Sequence, residues 1–95
     1  MVVGVCRVIL SIPGNASLKG KRKVLRAILD RTRNKFNASI AEVGDNDLWQ
    51  RSELGITLVA NDMKFVNSSL DKILNFIDSL NVAEIVDHEM ELISL

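Results

Sequence analysis

At 95 residues, 47% of them hydrophobic, the chain is long enough for one domain with a real core and too short for two. No apolar run approaches the roughly 18 residues that span a bilayer, and the lone cysteine, Cys6, excludes an internal disulfide or a CxxC metal framework, which points to a reducing cytoplasm. Formal net charge is zero, yet residues 1–41 hold nine Lys/Arg against one acid and residues 42–95 hold three against eleven, so the chain is strongly dipolar.

Val2 to Ile12 alternates, with Val2, Gly4, Cys6, Val8, Leu10 and Ile12 on one side and Val3, Val5, Arg7, Ile9 and Ser11 on the other, the period of a first strand. Its opening, Met1 to Val5, has no basic leader and is soon interrupted by Arg7, so it reads as a strand and not as a signal peptide. Pro13-Gly14-Asn15 forms a turn, and Ser17 caps a helix from about Leu18 to Phe36. On that helix Leu18, Leu25, Ile28, Leu29, Thr32 and Phe36 share the core-facing stripe.

Asn37 to Val43 is a short second strand, Gly44-Asp45-Asn46-Asp47 a turn, and Leu48 to Ala60 a third strand. Pairing Val43 with Leu48 across that turn puts Leu54, Ile56 and Leu58 under the helices and turns Trp49, Arg51, Glu53, Thr57 and Val59 outward. The same count places Ile40 on the open face beside Val3, Val5, Arg7 and Ile9. Asn61 or Asp62 caps a second helix whose Val66, Leu70, Ile73, Leu74 and Ile77 recur at three-and-four spacing. Val82 to Leu95 closes the chain as a fourth strand, with Val86, His88, Met90 and Leu92 inward and Asp87, Glu89 and Glu91 opposite.

Strand-helix-strand twice over, with right-handed crossovers, is the α+β, ferredoxin-like βαββαβ two-layer sandwich. It predicts a four-stranded antiparallel sheet in order 4-1-3-2, both helices on one face, and a single domain over 1–95. The other sheet face is left open, and its branched aliphatics make it a candidate contact surface.

Ser17-Leu18-Lys19-x-Lys21-Arg22-x-Val24-Leu25, then Ala41-Glu42-Val43-Gly44-x-x-Asp47-Leu48-Trp49-Gln50-Arg51 and Leu54-Gly55, resemble the YlxP-like family of bacterial proteins, a domain-of-unknown-function family. The resemblance covers essentially the whole chain. It implies the same βαββαβ fold and little biochemistry, since the family's activity is not established; its genes often lie beside those for ribosome maturation and translation initiation, an associational hint toward RNA or ribosomal particles. It implies no catalytic residues.

Eight of the twelve cations, Lys19, Lys21, Arg22, Lys23, Arg26, Arg31, Arg33 and Lys35, fall within seventeen residues of the first helix. Lys19, Arg22, Lys23, Arg26 and Arg33 lie opposite the apolar stripe, a cationic ridge suited to a phosphate backbone; with Lys21 they are the candidate RNA-binding residues. The alternative is a solvated helix face balanced by acidic neighbours. Strands one and three bear no aromatics over the sheet centre, which excludes the base-stacking mode of RNA-recognition motifs.

Trp49, Gln50 and Arg51, with Arg7 and Ile9, are the candidate interface, most simply a homodimer through the open sheet; the alternative is that Trp49 closes the end of the core. His88 has no second histidine for company and reads as structural, and Asp87, Glu89 and Glu91 read as guards of an edge strand rather than metal ligands. Cys6 reads as a buried small hydrophobe. The loop Ser11 to Ser17 before a basic helix has the outline of an oxyanion-binding loop, but no phosphate-loop or dinucleotide fingerprint occurs. Catalytic residues, metal and cofactor are therefore expected to be none. The expected functions rank as a non-enzymatic RNA- or ribosome-associated accessory protein, then a regulatory interaction module, then a small enzyme for an anionic substrate.

Overall fold

The computed structural model of the chain describes residues 1–95. Its elements are β1 (Val2–Ser11), α1 (Leu18–Lys35), β2 (Ser39–Gly44), β3 (Arg51–Ala60), α2 (Met63–Ser79) and β4 (Glu84–Ser94). The strands form one antiparallel sheet in order β2-β3-β1-β4, the expected ferredoxin-like arrangement. No helix is long and apolar enough to cross a membrane.

Each helix starts where its cap predicts. Ser17 Oγ accepts from the Gly20 N–H at 2.9 Å, and Asp62 Oδ2 accepts from the Phe65 N–H at 2.9 Å, each satisfying an orphan first-turn donor. The core lies between helices and sheet, with Val8, Leu10, Ile28, Leu54, Val66 and Leu70 fully buried. Fully burying a side chain of this size contributes about 1.5–3 kcal/mol. Gly4 lets α2 sit close to β1, since a Cβ there would lie 2.5 Å from Val66 Cγ1 and 3.0 Å from Leu70 Cδ1.

The hairpin differs from its expected register. Ile40 pairs with Ile56 and Ser39 with Thr57, with a bulge between Glu42 and Gly44. Relative to the expected pairing the strands are shifted by an odd number of residues, which exchanges faces. Ile40 therefore lies buried beneath the helices and not on the open face. Residues 45–50, including Leu48, Trp49 and Gln50, form a loop rather than the start of a strand, beginning at Asp45 with φ 58°.

β4 carries a second correction. A bulge opposite Ile9 and Leu10 pairs them with Asp87 and Ile85, so Val86 is the extra residue. Ile85 then packs against the core while Val86 is exposed, opposite to the plain alternation. Leu92, Met90 and His88 pair with Gly4, Cys6 and Val8 of the inner side of β1, the side on which they were expected. His88 is nonetheless exposed, at the sheet edge beside Asp71, Asn75 and Asp78 of α2.

Candidate functional site

Helical spacing of 3.6 residues brings Lys19, Arg22, Lys23 and Arg26 onto one exposed face of α1, interspersed with the small Ser17, Gly20 and Ala27. None of these four cations lies within 4.0 Å of a carboxylate. The eight residues from Lys19 to Arg26 span only about 10 Å of helix, so four uncompensated charges are concentrated there, beside a helix N-terminus that adds its own partial positive charge. The face ends at Asp30, 3.8 Å from Arg33 Nη1. Arg33 also donates to the Ile40 carbonyl at 2.8 Å, so it ties α1 to β2 at the margin of the ridge.

Lys21 departs from this set. Its side chain is 1% exposed, and its Nζ lies 2.9 Å from Glu42 Oε2 and 2.5 Å from the Asp45 carbonyl oxygen. Glu42 Oε2 also accepts from Ser52 Oγ at 2.7 Å. A buried ammonium is tolerable only with such partners. Lys21 thus organises the 45–50 loop from inside, with Arg51 Nε closing onto Asp45 Oδ2 at 3.1 Å from outside. The periodicity contains the signal for this, because Lys21 falls between Leu18 and Leu25 on the apolar stripe.

Asn15 joins that loop to the start of α1. Its Nδ2 donates to the Ser17 carbonyl at 2.7 Å and to the Trp49 carbonyl at 2.5 Å, while Gln50 Nε2 donates to the Asn15 carbonyl at 3.1 Å. The Ile12 N–H bonds the Gln50 carbonyl at 2.9 Å, continuing the ladder past β1. Nothing local to Asn15 foretells its bonds to Trp49 and Gln50, which lie 34 and 35 residues away. Held this way, Trp49 remains 52% exposed and borders a shallow depression with Ser11, Leu48, Arg51 and Val86.

On the open sheet face Arg7 is bound between neighbouring strands, 3.4 Å from Glu53 and 2.7 Å from Glu89. Ile9, expected on the same face, is only 8% exposed between Glu53 and Asp87. The structure therefore does not bring Arg7 and Ile9 together with Trp49 as one bare apolar patch. Cys6 is buried, and burial, helped by the charge of Asp71, raises its thiol pKa, so it sits as the neutral thiol. No group of three or more His, Cys, Asp or Glu side chains is disposed to hold a metal ion.

The chain is 49% identical over 63 residues to "Uncharacterized protein YlxP" of Bacillus subtilis (strain 168), covering 66% of this chain and 68% of that protein. Among solved structures it resembles "De novo designed protein Foldit4", with TM-score 0.54, 15% identity, and 100% and 99% of the two chains covered. It also resembles a C-terminal segment of the alpha subunit of aIF2 from Pyrococcus abyssi, with TM-score 0.52 and 16% identity over 99% of this chain and 51% of that one. At such identities the likeness is one of fold alone. The profile described as "Protein of unknown function (DUF503)" matches residues 3–90, a span that takes in the basic helix, the Lys21-centred loop and the open sheet, and the chain belongs to that family.

Proposed function

We propose that this protein is a non-enzymatic accessory factor that associates with RNA or ribosomal particles through the exposed face of α1. The single observation behind this reading is that Lys19, Arg22, Lys23 and Arg26 stand together on one helix face with no acidic partner. Acids elsewhere balance the total charge, but the five ion pairs of the molecule leave this face uncovered. Phosphate groups docking there release counterions, which favours a long polyanion over a small anion. Replacing all four residues by Glu is expected to abolish retention on immobilised RNA and on ribosomal particles. Retention equal to that of the unaltered chain contradicts the reading.

Pairing through the open sheet is the second reading, favoured by the exposed Val5, Val43 and Val59. It has less support because the Glu53–Arg7–Glu89 cluster crosses the middle of that face. Sedimentation equilibrium separates the two, since a sheet-mediated dimer forms without RNA and strengthens with protein concentration.

A further inference from the structure

We infer that the RNA bound by α1 is single-stranded, and that Trp49 is a stacking platform for one of its unpaired bases. The inference rests on the helix-face reading above and adds to it a ligand class. Trp49 is the only tryptophan in the chain. Of the three phenylalanines, Phe36 and Phe76 pack edge-to-face on each other at 5.6 Å, and Phe65 starts α2 at the opposite end of the sheet. Of the two exposed aromatics, Trp49 and Phe65, only the indole thus lies at the end of the molecule where α1 begins.

Its position relative to the ridge is set by Asn15. The Asn15 amide nitrogen lies 2.7 Å from the Ser17 carbonyl and 2.5 Å from the Trp49 carbonyl, so one amide group separates the cap of α1 from the backbone that holds the indole. A single strand whose phosphates lie on Lys19, Arg22 and Lys23 reaches Trp49 by passing Asn15 and turning over the end of the sheet, where the indole borders Ser11, Arg51 and Val86. Single-strand grooves cover about 4 nucleotides or more, which is ample for that path.

The loop is also prepared for the task. Lys21 fixes the Asp45 carbonyl from within, Arg51 fixes the Asp45 carboxylate, and the Ile12 N–H fixes the Gln50 carbonyl. An aromatic ring exposed on a loop so tied down loses little conformational freedom when a base stacks on it. Bases in a duplex are already stacked on one another and cannot reach the indole, whereas unpaired bases can. The absence of aromatics over the central strands leaves Trp49 alone to supply this contact.

With no tyrosine in the chain, intrinsic emission excited in the near ultraviolet reports on Trp49 directly. The test titrates the whole protein with a labelled oligouridine single strand and, separately, with a blunt RNA duplex of equal length, reading label anisotropy for binding and Trp49 emission for stacking. The single strand is expected to bind more tightly and to quench Trp49. Trp49→Ala is expected to weaken single-strand binding about tenfold, with Trp49→Phe recovering part of it and duplex binding unchanged. Single-strand binding with unaltered Trp49 emission and no effect of Trp49→Ala overturns the stacking platform while leaving the helix-face reading intact. Anisotropy showing that neither RNA binds overturns both.

Discussion

The ammonium of Lys21 is held in the interior by three acceptors: the Glu42 carboxylate and the carbonyls of Asp45 and Asn46. Removing one member of such a buried pair leaves the other uncompensated, whereas removing both can be nearly neutral. Lys21→Met is therefore expected to destabilise the protein by about 2–4 kcal/mol, less than the full value for a buried pair because Glu42 keeps some solvent contact. Adding Glu42→Leu is expected to restore part of the loss, and urea unfolding measures both. Cys6 gives a prediction with a defined sign. Its folded pKa is raised, so the neutral thiol stabilises the fold below the unfolded pKa, and stability falls as pH rises above about 9, where the unfolded thiol ionises first. Urea midpoints measured across that range are expected to fall less steeply for Cys6→Ala.

Among the elements, α1, β1 and α2 were fully legible because each needs only local information: period, cap and breaker. Ser17 and Asp62 occupy the predicted caps, and Ser17→Ala is expected to cost about 1 kcal/mol in thermal or urea unfolding. β2 and β4 were legible as strands but not in register. The β2–β3 turn is lengthened by bonds from Lys21, which lies 24 residues before Asp45, and turn residues alone do not disclose such a partner. Likewise the β4 bulge at Val86 inserts one residue into an otherwise even alternation. At the candidate site, the basic face was readable from helical spacing, the burial of Lys21 was implicit in the apolar stripe, and the Asn15 clasp was invisible. A further test of packing lies at Gly4. Gly4→Ala presses a methyl group onto Val66 and Leu70 and is expected to cost about 1–3 kcal/mol in urea unfolding.

Across the whole molecule the charge asymmetry of the chain becomes an asymmetry in space. α1 packs over β2, while α2 packs over β1, β3 and β4, so the cations of the first helix and the acids of β4 (Glu84, Asp87, Glu89 and Glu91) lie toward opposite edges of the sheet. The acidic edge strand resists further strand pairing, and the proposed polyanion site lies toward the basic edge. Zero net charge thus coexists with a positive face on α1, because its four unpaired cations and most of the acids of β4 lie toward opposite edges of the sheet.

The most direct measurement is the slope of log Kd for single-stranded RNA against log salt concentration. Four phosphate contacts on α1 predict a slope of about 3 in magnitude, reduced by about 0.7 for each of Lys19→Ala, Arg22→Ala, Lys23→Ala and Arg26→Ala. A slope that stays constant through all four substitutions contradicts the assignment of RNA to this helix.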